Sequence, residues 1–351
     1  MLFKILVPLL LGPLMAFAQE PSPHGTDPHR LYLPKRAIDT EEIPNIPLKA
    51  SDPPDAPLPY YKIASDTYML FGNIAEVDPY NRGFNGNAGF VVTERGVVVI
   101  DALGTPKLGS RLIATIRQVT DQPIRFLILT HNHPDHSYGA IAFRRAGAVV
   151  IAHRGTLDYL RSTRFERSVA FRRDIIPKDM EGFEGVVPDI LVDGPLYSKV
   201  TLKAGKRTFD IYNTGPHHSF GDLVIHQVED GIVWISDLAF NQRVTFMGDG
   251  NSKLAIQGQN WLLEHFKDAR LMVPGHGSAQ TPPFPMVEKT RAYMQRLRDF
   301  MARAIEEGLD LQDAVEASVE AFSDWKGVRL FDLNHRANAN FVYREMEEAL
   351  F

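Results

Sequence analysis

The sequence predicts a layered α/β fold, a four-layer αββα sandwich with extra helices at its C-terminal end. Three observations predict it. Short apolar strand-like runs interleave with helical patterns from residue 61 onward. The strands fall into two groups, separated by a charged, irregular stretch at 157–195. Beyond residue 285 the only periodicity is helical, at 286–307, 311–322 and 338–350.

Taken in order, the chain begins with Lys4, a short apolar run over 5–17 and a small-x-small end at Ala16-Phe17-Ala18. This pattern reads as a cleavable secretory signal over 1–18. The run is shorter than the roughly 20 residues that span a bilayer, and Pro8 and Pro13 oppose a retained helix. A proline-rich leader follows over 19–60, too dense in proline for helix and expected to lie extended along the surface. Strand patterns occupy 63–71 and 88–92, and Glu94-Arg95-Gly96 turns the second into 97–100 as a hairpin. Residues 107–119 carry helical spacing through Leu108, Leu112, Ile116 and Val119. A buried strand at 126–129, a helix at 140–146 and a strand at 148–151 complete the first half. Strands resume at 199–202, 207–212, 222–227 and 232–235. The expected main domain is 61–285, with 286–351 a helical extension packed on it.

Composition narrows the function. With 44% hydrophobic and 23% charged residues the 351-residue chain is ordinary globular protein. Forty-three acidic against 38 basic residues give a formal charge of −5, without the basic excess of a nucleic-acid binder. The chain has no cysteine, which excludes disulfide frameworks, thiolate metal sites and thiol nucleophiles. An exported, cysteine-free protein needs no redox protection, and the periplasm is the expected compartment.

Chemistry concentrates in Thr130-His131-Asn132-His133-Pro134-Asp135-His136, directly after a buried strand. In extended backbone His131 and His133 point to one side and can converge on one ion, while Asp135 and His136 turn away and can serve another. Imidazole and carboxylate ligands suit zinc, with iron or manganese compatible with the same set. Further candidates stand at later strand ends: His217 and His218 in Gly215-Pro216-His217-His218-Ser219-Phe220-Gly221-Asp222, Asp237 after Trp234-Ile235-Ser236, and His276 in Pro274-Gly275-His276-Gly277.

This order of motifs resembles the metallo-β-lactamase fold superfamily over roughly residues 61–285. The resemblance implies that His131, His133 and His218 bind a first metal. It implies that Asp135, His136 and His276 bind a second, and that Asp237 bridges the two. His217 would then lie beside the site, either behind the ligands or facing substrate, and Asp101 would buttress the histidine loop. Two cations about 3.5–4 Å apart can generate a hydroxide nucleophile and polarise the substrate oxygen, so no serine or cysteine nucleophile is required. Asp135 and Asp237 are the expected catalytic carboxylates. Asp101 and Asp222 are candidate acceptors for histidine nitrogens that face away from metal.

Fold alone does not select the substrate. In the resemblance, an aspartate at position 237 sits closer to glyoxalase II, lactonases and related esterases than to β-lactamases, which carry cysteine or serine there. The run from Leu333 to Tyr343 resembles the tail of exported metallohydrolases encoded with sulfur-oxidation systems or quinoprotein dehydrogenases, the quinoprotein-relay zinc metallohydrolase branch. A plain packing role for Phe341, Tyr343 and Met346 is compatible with it. The expectation is a periplasmic dinuclear zinc hydrolase of a small ester, lactone, thioester or amide. β-Lactamase-type amide hydrolysis, a mononuclear iron persulfide dioxygenase and an accessory protein of a periplasmic redox system stay open beside it. Its partner is a small-molecule substrate, with no nucleic acid and, after signal cleavage, no membrane. Specificity is expected from 161–173, either a lid for an anionic substrate or a solvated helix face. It is also expected from 240–261, where Arg243, Phe246 and Trp261 are candidate contacts, and from Phe84-Asn85-Gly86-Asn87 overhanging the site.

Overall fold

The structure is a computed structural model that describes residues 45–349. The signal-like segment and the leader up to Pro44 lie outside the described residues, as do the last two residues. From Asn45 to Tyr60 the chain has no helix or strand and runs along the first helix. Leu58 and Tyr60 are buried there, Leu58 N donates to Thr115 Oγ1 (2.8 Å), and Arg111 Nε donates to the Ala56 carbonyl (2.7 Å).

Strands β1 (Tyr61–Ala64) and β2 (Thr67–Leu70) open the first sheet, followed by β3 (Ala88–Thr93) and β4 (Gly96–Ile100). Helix α1 (Pro106–Val119) starts at Thr105, whose hydroxyl accepts from Leu108 N, with proline at the first helical position. Such a cap contributes about 1 kcal/mol. Then come β5 (Ile124–Ile128), α2 (Pro134–Ser137), α3 (Ala140–Arg145), β6 (Val149–His153), α4 (Gly155–Leu160), α5 (Thr163–Ile175) and β7 (Ile190–Val192). The second sheet is built from β8 (Lys199–Ala204), β9 (Arg207–Gly215), β10 (Asp222–Gln227) and β11 (Ile232–Ser236). After α6 (Ser252–His265) it gains β12 (Leu271–Pro274). Helices α7 (Pro285–Glu306), α8 (Leu311–Ala321) and α9 (Phe331–Glu348) end the described chain. None of the described helices is long and apolar enough to cross a membrane.

The first sheet runs β1-β2-β3-β4-β5-β6-β7, antiparallel to β4 and parallel after it. The second runs β12-β11-β10-β9-β8 with one parallel pair at β11-β12. Side-chain alternation makes the layers. Val98 and Ile100 of β4 face the second sheet, packing with Ile128, Phe209, Ile225 and Trp234. Val97 and Val99 face outward onto Leu108, Leu112, Ile116 and Phe143 of α1 and α3. The outer face of the second sheet packs Val224, Val233 and Ile235 against Leu262, Phe266 and Val287. With both faces covered, β4 reads as an unbroken apolar run. The four-layer αββα expectation therefore holds.

Several elements differ from expectation. The run 63–71 splits into the β1–β2 hairpin, because Asp66 takes a left-handed turn conformation (φ 59°), and β2 is buried throughout and shows no alternation. The stretch 157–195 contains the end of α4, all of α5 and β7. Only Val169 and Arg172 of α5 are buried, so it has no apolar stripe to reveal it. Helix α6 hides its period behind a buried face of Ser252, Ala255, Gly258 and Gln259, and α9 starts seven residues before 338 because Asn334, His335 and Asn338 are its inward side chains.

Helices α7–α9 share one core of Tyr293, Leu297, Met301, Phe322, Phe331 and Val342, which also takes in Val244 and Met247 from the loop after β11. His335 sits inside it, stacked on Phe331 with ring centroids 4.7 Å apart, Nδ1 2.9 Å from Tyr293 Oη and Nε2 3.2 Å from Ser318 Oγ. Burial pulls its pKa down to about 4. The unfolded chain takes up this proton near pH 6.5 and the folded chain only near pH 4. Stability is therefore complete above about pH 6.5 and falls by on the order of 2 kcal/mol as pH drops to about 4. Urea unfolding of wild type and His335→Gln at pH 7 and pH 4.5 checks this. The variant should lose less between the two pH values, and equal losses would remove His335 as the cause.

Candidate metal centre

Every proposed ligand follows the C-terminal end of a strand on one rim of the sandwich: the 131–136 loop after β5, His218 between β9 and β10, Asp237 after β11 and His276 after β12. The two sheets are fastened together there. Leu223 N donates to the Thr130 carbonyl (2.7 Å), and Asn87 Nδ2 donates to the carbonyls of Pro274 and Gly277 (both 2.9 Å). Positive φ values at Asp101 (60°) and Ser236 (44°) mark the rim as strained backbone, a common feature of functional sites.

The structure gathers the seven side chains into two adjoining groups. One is His131, His133, His218 and Asp237; the other is Asp135, His136 and His276; the ligand atoms within each group lie within 4.8 Å of one another. Asp237 joins them. Its Oδ2 is 3.2 Å from His218 Nε2 and 3.2 Å from His276 Nε2, and its Oδ1 is 3.5 Å from His136 Nε2. Asp135 Oδ2 stands 3.4 Å from His276 Nε2. Gly275 leaves room for this crossing, since a Cβ there would fall 1.9 Å from Asp237 Oδ1.

Each outer ring nitrogen shows which atom faces inward. His131 Nδ1 meets Thr130 Oγ1 (3.1 Å) and Ser236 Oγ (3.2 Å), His136 Nδ1 donates to Asp101 (2.9 Å), and His276 Nδ1 donates to the Asn85 carbonyl (2.7 Å). Their Nε2 atoms are left pointing inward. His133 is reversed: its Nε2 donates to Asp249 Oδ2 (3.1 Å), so Nδ1 faces His218 Nε2 at 2.9 Å. Asp101 also accepts from Thr130 N (2.8 Å) and its hydroxyl, and so ties the histidine loop to β4. Asp222 serves no imidazole; it accepts from His218 N (2.7 Å) and Ser219 N (3.1 Å) and shapes the backbone of that turn.

The donor set fits divalent cations. His131 Nε2, His136 Nε2 and Asp237 Oδ1 are buried with no hydrogen-bond partner among the described residues, and orphaned polar atoms of this kind are costly unless an ion takes them. Burial and the neighbouring His136 push the His131 pKa well below its usual value, so its ring is a neutral ligand. Burial would raise the pKa of Asp237, but His276 and His136 hold it well below the carboxylate range. Burial lowers the pKa of His136, and Asp237, Asp135 and Asp101 more than offset this, holding it near 9. Such an excess of carboxylate around buried imidazoles is the electrostatic setting that bound cations neutralise.

A cavity of about 430 Å³ opens over both groups, lined among others by His133, Asp135, His218, Asp237 and His276. Arg164, Ser168, Phe171 and Arg172 of α5 form one wall, while Arg161, Arg167 and Arg173 face solvent. The segment 161–173 is therefore cavity wall on one face and solvated helix on the other. Arg243 and Phe246 line the cavity as expected. Trp261 does not; it stacks on Tyr197 at 4.7 Å behind the loop. His217 is also turned away, its Nε2 3.2 Å from Tyr197 Oη. Phe84 is core, whereas Asn85 reaches the centre, its Nδ2 donating to Asp135 Oδ2 (3.1 Å).

Sequence reasoning missed Asp249, which holds His133 and is itself paired with Arg164. Its loop is fixed from α9: Asn338 accepts from Met247 N (2.9 Å) and donates to the Thr245 carbonyl (2.7 Å), and Asn334 donates to the Val244 carbonyl (2.9 Å). The 333–343 run is thus a clamp on one side of the cavity. The spaced Asn334 and Asn338 were its signal.

The sequence matches the profile of the metallo-beta-lactamase superfamily over residues 81–298. Among solved structures, the fold is similar to the stereoselective inverting sec-alkylsulfatase of a Pseudomonas species, at 16% identity and a TM-score of 0.65 over 81% of this chain and 49% of that one. The chain spans about half the length of that sulfatase. It is also similar to the metallo-beta-lactamase from Pontibacter korlensis (19% identity, TM-score 0.50, 67% of this chain and 98% of that chain). A third similar structure is the metallo-beta-lactamase from Hirschia baltica (16%, 0.50, 68% and 97%). At these identities the likeness is one of fold.

Proposed function

The chain belongs to the metallo-beta-lactamase superfamily of metal-dependent hydrolases, and from that premise we propose a dinuclear zinc enzyme, exported to the periplasm, that hydrolyses a small ester, lactone, thioester or amide. The observation that carries the proposal is Asp237, whose two carboxylate oxygens reach imidazoles of both ligand groups. His131, His133 and His218 would hold one ion, Asp135, His136 and His276 the other. Bound there, divalent ions supply Lewis acidity and lower the pKa of water from about 15.7 towards 7.

The chain's own residues do the rest. Asp135 faces the cavity as an anion; burial raises its pKa, but His136 and His276 more than offset this and hold it well below the carboxylate range. It is placed to orient the attacking water and to pass the proton on to the leaving group. Asn85 fixes the Asp135 carboxylate and, through its carbonyl, the ring of His276. A cavity of about 430 Å³ suits a small molecule better than a polymer. Phe171 (57% exposed) and Leu333 (55%) stand at its mouth from α5 and α9, and they favour substrates with an apolar portion. The signal pattern of residues 1–18 and the lack of cysteine support the periplasmic assignment.

A panel of chromogenic cephalosporins, lactones, thioesters and phosphodiesters, run on metal-loaded protein with metal content measured, tests the proposal. Carboxylic ester or thioester turnover with two zinc ions per chain is expected, and cephalosporin turnover should be feeble. A single iron with oxygen uptake would overturn the hydrolase reading. In Asp135→Ala, hydrolysis should fall by about 10³-fold or more, with weaker binding of the second metal. Wild-type rates in that variant would refute its role.

A further inference from the structure

A second cavity, about 460 Å³, lies behind the metal cavity, between the loop after β11, the first turns of α7 and the segment 325–329. It is as large as the metal cavity, holds no metal-ligand residue, and no role has been assigned to it. Among the described residues Arg243, Lys289 and Arg329 line it, and no aspartate or glutamate does. Its apolar side is aromatic: Trp325, Tyr293 and Phe240 contribute rings, and Lys289 Nζ stands 5.2 Å from the Trp325 ring centroid.

Arg243, which borders both cavities, supplies an independent observation. It is 7% exposed, so its guanidinium needs acceptors from the protein or from a ligand. The protein offers few. Its Nη1 is 3.2 Å from His276 Nδ1, but that nitrogen carries the hydrogen donated to the Asn85 carbonyl, so two donors face each other. Its Nε is buried with no partner among the described residues, and its Nη2 comes no closer than 3.8 Å to the half-exposed carboxylate of Glu76. A cation–π contact with Phe240 at 5.5 Å compensates only part of this. A buried arginine so poorly satisfied is completed by an oxyanion, which takes its planar fork of donors.

We propose that this cavity binds a small aromatic anion, a ring bearing a carboxylate or a phosphate. Arg243 and Lys289 hold the charged group, while the ring lies against Trp325 and Tyr293. The site shares one wall with the metal centre, through Arg243 and Phe240, and Phe240 stacks on His276 (centroids 5.9 Å apart, 11° between planes). The proposal does not rest on which substrate the metal centre takes.

Titration of the full-length, metal-loaded protein with phenyl phosphate, benzoate and inorganic phosphate, followed by calorimetry and by tryptophan fluorescence, tests it. Saturable binding of phenyl phosphate or benzoate is expected, with inorganic phosphate at least about tenfold weaker because it has no ring to stack. Lys289 is exposed on α7, so Lys289→Glu should fold and keep its metals while weakening both aromatic anions by about tenfold or more. Trp325→Ala should weaken the aromatic anions and leave inorganic phosphate unchanged. The proposal is overturned by the lack of saturation up to about 10 mM, or by equal affinity for inorganic phosphate. It is equally overturned if binding survives Lys289→Glu intact, since the anion would then sit at the metal centre.

Discussion

Replacing Asp237 with alanine should empty both halves of the metal centre at once. The wild-type protein is expected to carry two ions per chain and the variant fewer than one, read by elemental analysis after dialysis. Hydrolysis should fall by about 10³-fold or more. Asp237 Oδ2 sits 3.2 Å from imidazole nitrogens of both groups, His218 and His276, and Oδ1 serves His136 as well, so no other side chain can replace the bridge. Its loss also leaves four buried histidines around the gap without the carboxylate that offsets two incoming cations. His276→Ala makes the contrast, since it removes a ligand from the second group only and should retain the ion held by His131, His133 and His218. The fold should survive in both, because β11 keeps its backbone pairing with β10 and β12. If Asp237→Ala kept two tightly held ions, the bridged arrangement would be wrong, and with it the basis of the proposed chemistry.

The ligand candidates were legible in the sequence because each carries a local signal, while the bridging role expected of Asp237 came from the family resemblance. His131, His133, Asp135 and His136 lie within one loop, and Asp237 and His276 each close an apolar strand run. The parallel neighbours β11 and β12 end on the same rim, and β9, antiparallel to the β10 between, ends there too, so chemistry-bearing residues after these strands converge once the layers are right. Asp249 could not be read this way. It meets His133 across 116 positions only because Asn338, nearly a hundred residues further on, holds the intervening loop in place. The same long-range dependence misplaced Trp261 and turns the His217 ring from the cavity. Both stand next to cavity-forming segments in sequence, but α6 draws them to its own side, where Trp261 stacks on Tyr197 and Gly258 accommodates the His217 ring. Helix α5 and the first turns of α9 escaped for the opposite reason. Their inward faces carry arginine, asparagine and histidine, and hydrophobic periodicity cannot see a buried face made of polar groups with fixed partners.

Asp101 is the position where stability and metal binding should separate most clearly. Its carboxylate is buried and takes three donors, the Thr130 backbone N–H, the Thr130 hydroxyl and His136 Nδ1. Alanine there strands a backbone donor and an imidazole in the interior, which should cost about 3 kcal/mol in urea unfolding. It also frees the His136 ring to rotate, and the second metal should bind about 10–100-fold more weakly. Asp101→Asn separates the two effects. The amide oxygen can still accept from Thr130 N, so most of the stability should return. If the oxygen serves Thr130, however, the amide NH₂ is left facing the His136 N–H, and the metal defect should persist. A chelator-competition titration on both variants decides the matter. Wild-type zinc affinity in the alanine variant would show that the histidine loop holds its geometry without Asp101, and that the hydrogen bond from His136 is incidental to the centre.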